Sequence, residues 1–140
     1  AKYVTDFPEE HMLMHKNVIS IPHLGTSTPE SEDNCASMAA SELKSYLETG
    51  SIKNSVNLPS CQLAAPEKGV RLTVIHKNLP NMVSPMTSIL ADARLNIEEM
   101  VNKSRDQVAY TVFDLNQNPS DEIIEKFMAI DGVIKVRRIV

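Results

Sequence analysis

Four polar side chains lie where a predicted strand meets a turn, and their residue types could carry out chemistry. His23 directly follows a short strand, His76 and Asn78 end a longer one, and Asn96 begins the next. Imidazole titrates near neutral pH, so a histidine in such a position can act as a general acid or base. A carboxamide both donates and accepts hydrogen bonds, as the recognition of a zwitterion requires. The alternative for each residue is a structural role in its own turn.

The last seventy residues contain the pattern of elements that would position three of these side chains. Apolar residues alternate in the strand segments and recur at helical spacing in the helix segments. The predicted order is βαββαβ, an α+β fold of ferredoxin-like type with two helices on one face of an antiparallel sheet. The predicted elements are a strand over 70–76, a helix from Asn81 or from Ser84-Pro85, strands over 96–102 and 107–115, a helix from 116–120 to Asp131-Gly132, and a strand over 133–140.

A long helix is predicted before this module. Thr28 is its expected N-cap, Pro29 its first helical residue, and Thr49-Gly50 its end. Its apolar face is expected to pack on another copy of the chain or on the final module; the face consists of Cys35, Met38, Ala39, Leu43, Tyr46 and Leu47. Residues 51–68 are predicted to be a linker, with one strand-like stretch around Ser55–Leu58.

The N-terminal residues predict two short strands, Tyr3–Thr5 and Asn17–Ile21, joined by an acidic, Met-rich loop. We interpret them as buried strands at the edge of an α/β sheet that needs more strands than this chain contains. The chain also begins without a methionine, so it is expected to be the tail of a longer protein. The predicted domain boundaries divide it into residues 1–50, 51–68 and 69–140.

Composition excludes several classes of protein. Hydrophobic residues make up 42% and no apolar run approaches the about twenty residues that span a bilayer, so no membrane partner is expected. The net charge of −4 argues against nucleic acid. Cys35 and Cys61 form no CxxC motif, which favours a reduced, cytoplasmic location. His11 and His15 lack a third ligand, so no metal site is predicted.

The segment PHLGTST, residues 22–28, resembles the D-2-hydroxyacid dehydrogenases. The resemblance implies that His23 is the catalytic acid/base beside the nicotinamide of NAD, where the alkoxide formed by hydride transfer must gain a proton. It further implies a glutamate that pairs with this histidine, for which Glu9 and Glu10 are candidates and Glu10 is chosen. Asp6 matches the aspartate that contacts the nicotinamide amide.

The family's remaining cofactor-binding features are missing from the sequence. The chain has four glycines and no GxGxxG motif, and the family's substrate-binding arginine is expected upstream. The resemblance therefore implies an NAD-dependent parent enzyme, whereas these 140 residues alone are expected to be inactive.

The segment IHKNLPNM, followed by a helix and LNI, resembles the ACT domain that ends the D-3-phosphoglycerate dehydrogenases. This resemblance implies that L-serine, as feedback inhibitor, binds to His76 and Asn78, with Asn96 contributed across a dimer interface. The family often has glycine where this chain has Asn81, and asparagine is among the residues that best tolerate the left-handed backbone such a turn requires. Ser84-Pro85 also departs from the family pattern.

Two other functions fit the same residues. The chain could be a freestanding regulatory module of the ACT type that binds an amino acid and has no enzyme activity, or an ACT module for an amino acid other than serine. In each case the free edges and the open face of the predicted sheet favour a homo-oligomer, at least a dimer.

Overall fold

The computed structural model describes residues 1–66 and 69–140, which form two compact units, Ala1–Ala40 and Ser41–Val140. The predicted division into domains of residues 1–50, 51–68 and 69–140 remains a prediction. None of the described helices is both long enough and apolar enough to cross a membrane. The elements in chain order are β1 (Tyr3–Thr5), α1 (Glu10–Leu13), β2 (Val18–Ser20), α2 (Pro29–Thr49), β3 (Val70–Lys77), α3 (Val83–Asp92), β4 (Ile97–Arg105), β5 (Val108–Leu115), α4 (Asp121–Met128) and β6 (Val133–Ile139).

The second unit contains a four-stranded antiparallel sheet in the order β4-β5-β3-β6. Its elements run β3-α3-β4-β5-α4-β6, so the predicted βαββαβ order and the α+β class are confirmed. β5 and β3 are the two central strands, and β4 and β6 are the edges. The end of β3 therefore lies in the middle of the sheet, with the following turn at its rim.

The main core lies between the sheet and helices α3 and α4. Its fully buried side chains come from alternate positions of the strands and from the inner faces of both helices, as the alternation of side chains along a strand predicts. The rings of Phe113 and Phe127 meet edge to face with centroids 6.1 Å apart. The other fully buried members of this cluster are Leu72, Val74, Met86, Leu90 and Leu115.

The opposite face of the sheet is covered by the chain itself, through residues 41–66 of the second unit. Ile52 and Cys61 are buried, form an isolated antiparallel bridge, and pack with Tyr110. The segment predicted as a linker thus packs on the sheet over residues 51–66, whereas residues 67 and 68 lie outside the described part. The strand predicted around Ser55–Leu58 is wrong, because residues 56–58 form bends and Ser55 belongs to no regular element.

Helix α2 begins and ends where its sequence predicts. The hydroxyl of Thr28 accepts a hydrogen bond from the amide of Ser31 at 3.2 Å, and Gly50 follows the last turn with φ of +74°. In the second unit, Tyr46 packs against the cluster of Ile52, Cys61 and Tyr110 on the face of the sheet opposite α3 and α4. Leu43 and Leu47 are more than half exposed, so the predicted burial of the apolar face is met only in part.

The first unit contains β1 and β2, which pair in parallel. Both strands were predicted to be buried, but none of their six residues is: Thr5 and Val18 are half-buried and the other four are exposed, with Tyr3 58% exposed. The reason is that a two-stranded sheet needs a further layer to bury its faces, and the short helix α1, which contacts β2, leaves none of the strand residues buried.

The turn between β3 and α3 takes the predicted backbone shape. Asn81 has φ of +64°, in the left-handed region that asparagine tolerates. Helix α3 begins at Val83, between the two predicted starts, so Pro85 lies in the first turn, where its missing N–H leaves no helical bond unmade.

Candidate functional site

His76 lies buried at the rim of the sheet, next to the turn that follows β3. It is the last but one residue of β3, and its side chain is 2% exposed. The pairing of β3 with β6 shifts register between Ile75 and His76, which is an irregularity of the kind that re-aims side chains at a sheet end.

Both ring nitrogens of His76 have partners within the chain. Nδ1 lies 2.8 Å from the carbonyl oxygen of Lys77, and Nε2 lies 2.8 Å from the hydroxyl of Thr111 on β5. That hydroxyl also lies 2.9 Å from Oδ1 of Asn102 on β4. His76 therefore supports the turn from beneath and offers no unengaged ring nitrogen.

Asn78 ties the turn to the hairpin between β4 and β5. Its side-chain Nδ2 donates to the carbonyl of Asp106 at 3.0 Å, and its amide donates to the carbonyl of Gln107 at 2.9 Å. Asp106 has φ of +52°, which fits its place in a tight turn. The side chain of Asn78 is exposed, and neither of these two hydrogen bonds uses its Oδ1.

Asn96 lies at the opposite end of the sheet in the same chain. It directly precedes β4, its backbone amide donates a hydrogen bond to Oδ1 of Asn116 at 3.0 Å, and its Nδ2 donates to Glu98 at 2.8 Å. The strand register that separates the two ends runs Ile97–Leu115–Val70 at one end and Ser104–Ala109–His76 at the other. At about 3.3 Å per residue, this places Asn96 roughly 20 Å from His76, so one chain does not bring the three residues together.

The first unit brings His23 together with Asp6. Nδ1 of His23 lies 3.0 Å from Oδ2 of Asp6, and both side chains are about half exposed. The ring of Phe7 meets the imidazole edge to face at 5.4 Å. Asp6 follows β1 and His23 lies shortly after β2, so the parallel pairing of these strands brings both residues to the same edge.

The carboxylate beside His23 is therefore not the predicted Glu10. No ion pair within the described residues joins Glu10 to His23, and Glu9 pairs instead with His11 at 3.3 Å. Asp6, which was expected to contact a nicotinamide amide, occupies the position beside the imidazole. The pairing of Asp6 with His23 follows from the parallel register of β1 and β2. No sequence motif indicates this register, so the pairing could not be predicted.

Sequence reasoning missed a buried ion pair on the face of the sheet opposite α3 and α4. Arg71 and Asp114 face each other across β3 and β5, with Nε–Oδ1 at 2.6 Å and Nη2–Oδ2 at 2.7 Å. Nη1 of Arg71 donates to the carbonyls of Thr49 and Ala64 at 2.7 and 2.8 Å. The hydrogen bonds to Asp114 raise the pKa of Arg71, so the guanidinium stays charged and joins the end of α2 to the sheet.

Two further side chains hold the same helix end. The hydroxyl of Tyr110 donates to the carbonyl of Gly50 at 2.8 Å, and burial raises the pKa of this tyrosine to about 12. The guanidinium of Arg137 lies 4.5 Å from the ring centroid of Tyr46 and donates to the carbonyl of Leu47 at 3.2 Å. These contacts satisfy carbonyls that the end of a helix leaves without partners.

A cavity of about 200 Å³ lies between α3 and α4, lined by Ile89, Asp92, Ala93, Ile123 and Lys126, and none of the predicted site residues contributes to it. Among residues 1–66 and 69–140, no group of three histidine, cysteine or acidic residues could hold a metal ion.

Solved structures similar to this chain are ACT-containing or regulatory proteins. The ACT domain from the GTP pyrophosphokinase of Chlorobium tepidum covers 50% of this chain and 95% of its own length, with 16% identity and a TM-score of 0.44. The regulatory subunit of aspartate kinase from Thermus thermophilus, in its ligand-free form, covers 49% of each chain, with 13% identity and a TM-score of 0.39. No family model matches the sequence.

The curated relatives are more similar to this chain in sequence than these solved structures are. D-3-phosphoglycerate dehydrogenase of Haemophilus influenzae is 34% identical over 121 residues, and that of Escherichia coli K12 is 31% identical over 123. D-3-phosphoglycerate dehydrogenase 2 of Saccharomyces cerevisiae is 31% identical over 128 residues. The chain spans only 27–30% of the length of these three proteins. The resemblance noted in the sequence is thus confirmed: over 86% of its length, the chain is homologous to proteins named D-3-phosphoglycerate dehydrogenase.

Proposed function

We propose that this chain is the C-terminal segment of an NAD-dependent D-3-phosphoglycerate dehydrogenase of the cytoplasm. Residues 69–140 form its ACT regulatory domain, which binds L-serine as a feedback inhibitor. The homology along 86% of the chain supports the enzyme family. The polar turn at the end of β3, held from beneath by His76, supports the sensing role.

The observation that carries the serine site is the separation of Asn96 from Asn78. Strand β4 is an edge strand of nine residues, long enough to pair with another strand. If β4 pairs antiparallel with β4 of a second copy about a two-fold axis at its middle residue, Val101, then Asn96 lies opposite Asp106 of that copy. Asp106 is the residue to which Asn78 is bound, so the dimer would bring the two asparagines together.

The residues assembled in this way suit an amino acid zwitterion. Its ammonium group supplies three donors and its carboxylate supplies acceptors. In the proposed site, the carboxamides of Asn78 and of Asn96 from a second copy contact the ligand, because a carboxamide can answer both kinds of group. His76 contributes by fixing the turn, since both its nitrogens already have partners within the chain.

The first unit would contribute the proton-transferring group of the enzyme. In the parent protein, NAD would accept the hydride from the hydroxyl-bearing carbon of the substrate. His23 would remove the hydroxyl proton as general base, and Asp6 at Nδ1 would orient the imidazole and stabilise it once protonated. The residues of this chain do not form an NAD site by themselves, because the sequence contains no glycine-rich fingerprint.

The purified 140-residue chain is therefore expected to form no NADH from 3-phosphoglycerate and NAD. A spectrophotometric assay at 340 nm, about the wavelength at which NADH absorbs, checks this expectation. Measurable turnover would contradict the proposal that this chain does not form an NAD site by itself.

Calorimetric titration with L-serine tests the sensing role. The unaltered chain should bind L-serine, and Asn78→Ala should weaken binding about tenfold or more, because the ligand then loses a hydrogen-bonding partner, which costs about 1–3 kcal/mol. Asn34→Ala, at an exposed asparagine of α2, is the control and should bind as the unaltered chain does. Absence of serine binding would refute the proposed ligand, and binding of a different amino acid in the same assay would replace it.

A further inference from the structure

We infer that Thr111 and Asn102 are positioning residues of the amino-acid site, acting through His76 without touching the ligand. This role rests on the proposed function. The contacts form a continuous chain from edge strand β4 to the turn: Asn102 to Thr111 at 2.9 Å, Thr111 to His76 at 2.8 Å, and His76 to the carbonyl of Lys77 at 2.8 Å.

The last contact of the chain fixes the tautomer of His76. A carbonyl oxygen can only accept a hydrogen bond, so Nδ1 carries a proton and donates to Lys77. In the neutral ring, Nε2 then has the lone pair and accepts from the hydroxyl of Thr111. The ring is 2% exposed, and none of the ion pairs within the described residues involves it, so the neutral form avoids burying an unpaired charge.

The same logic fixes how Asn102 meets the threonine. The hydroxyl of Thr111 has one proton, and it is used on Nε2 of His76, so the hydroxyl must accept from Asn102. The side-chain amide supplies that donor once it is turned so that its NH2 group, rather than Oδ1, lies at the 2.9 Å position. Oxygen and nitrogen of such an amide are assigned from the hydrogen-bond network, and here each contact then has one donor and one acceptor.

This chain controls the presentation of Asn78. The carbonyl that Nδ1 of His76 holds belongs to the peptide group joining Lys77 to Asn78, so the imidazole fixes the plane of that peptide. Without Thr111 the ring has no partner at Nε2 and can rotate, and the peptide plane loses its anchor. The side chain of Thr111 is fully buried, so a ligand in the turn could not reach it directly.

The test combines Thr111→Val with two further variants. Valine keeps the shape of threonine and removes the hydroxyl, and Thr111→Ser keeps the hydroxyl. Thr73→Val makes the same change at a buried position of the neighbouring strand that lies on the sheet's other face, near Gly50. We expect Thr111→Val to weaken L-serine binding about tenfold, the factor that corresponds to losing one hydrogen bond of about 1.4 kcal/mol. Thr111→Ser should restore the affinity, and Thr73→Val should leave it unchanged.

Nitrogen NMR of the imidazole provides a readout that does not depend on serine. The unaltered chain should show His76 protonated at Nδ1 with a hydrogen bond accepted at Nε2, and the Nε2 signal should move in Thr111→Val and return in Thr111→Ser. Protonation at Nε2 alone in the unaltered chain, or an unchanged spectrum in Thr111→Val, would overturn the inference. If the unaltered chain binds no serine but shows the expected spectra, the proposed ligand fails while the positioning of His76 stands. Equal serine affinity in Thr111→Val and the unaltered chain would refute the role in binding.

Discussion

Tyr110 lies at the centre of the sheet, and its hydroxyl group holds the end of helix α2. The side chain is fully buried, and its hydroxyl donates to the carbonyl of Gly50 at 2.8 Å. Burial is the main cause that raises its pKa from 10.0 to about 12, because a phenolate would be desolvated there. The ionisation of Tyr110 therefore makes the stability of the second unit depend on pH in the alkaline range.

The effect of pH on this link has a definite sign. In the unfolded chain Tyr110 loses its proton near pH 10, whereas in the folded chain it keeps the proton until about pH 12. The folded state binds more protons between these values, so the free energy of unfolding falls as pH rises through this window. The contribution is about 2–3 kcal/mol in total, since one unit of pKa corresponds to about 1.4 kcal/mol.

Tyr110→Phe should remove this pH dependence while keeping the packing of the ring. At pH 7 the variant should be less stable by about 1 kcal/mol, because it lacks the hydrogen bond to Gly50. Near pH 12 its free energy of unfolding should equal or exceed that of the unaltered chain. Urea unfolding followed by circular dichroism at both pH values measures the difference, with Tyr3→Phe at an exposed ring as control. A difference that stays constant with pH would contradict the proposed link.

At the scale of single residues, the sequence predicted the positions of the candidate groups better than their partners. His76 and Asn78 were expected at the end of a strand, and they lie there because strand alternation and turn residues are local signals. The pairing of His23 with Asp6 depends on the parallel register of β1 and β2, which is a tertiary property. The same is true of Arg71 and Asp114, which are 43 residues apart in the chain.

At the scale of elements, helix α2 illustrates what local signals can determine. Its start at Pro29 and its end before Gly50 follow from capping preferences within a few residues. Packing of the following segment could not be predicted in this way. Ile52 and Cys61 are buried singly, so they produce no periodic pattern, and a segment with two prolines, three serines and two asparagines has the composition of a linker.

Gly50 is the residue that allows α2 to end against the sheet. It has φ of +74°, and a Cβ atom there would lie 2.9 Å from Cγ2 of Thr73 and 3.0 Å from the hydroxyl of Tyr110. Gly50→Ala should therefore lower the free energy of unfolding by at least about 1–2 kcal/mol, the cost of a left-handed backbone for a residue with a Cβ atom. The close contacts add to this cost, because both neighbours are buried.

Gly25→Ala is the matched control for this substitution. Gly25 has no positive φ, and no atom lies within 4 Å of the Cβ position, so alanine there should leave stability nearly unchanged. Urea unfolding of both variants under the same conditions provides the comparison. Equal stability of Gly50→Ala and the unaltered chain would show that the end of α2 does not need the left-handed backbone.

At the scale of the whole molecule, the proposed serine site is divided between two copies of the chain. Within one copy, Asn78 and Asn96 lie at opposite ends of the four-stranded sheet. An antiparallel pairing of two β4 strands about a two-fold axis creates two equivalent sites, and each site takes Asn78 from one copy and Asn96 from the other. If the site is divided in this way, two different variants can complement each other in a dimer, which a site within a single copy would not allow.

Coexpression of two variants that each bind L-serine weakly should restore full affinity at a fraction of the sites. Asn78→Ala and Asn96→Ala are each expected to lose affinity in a pure dimer, because every site then lacks one carboxamide. When the two variants are coexpressed in equal amounts, half of the dimers combine one copy of each, and one of their two sites has both asparagines. About a quarter of all sites should then bind L-serine with the affinity of the unaltered chain, as follows from the two-fold symmetry. Calorimetry of the mixture gives the fraction of active sites directly. If both asparagines served one site within a single copy, or if one of them had no role, the mixture would bind no better than the average of the two pure variants.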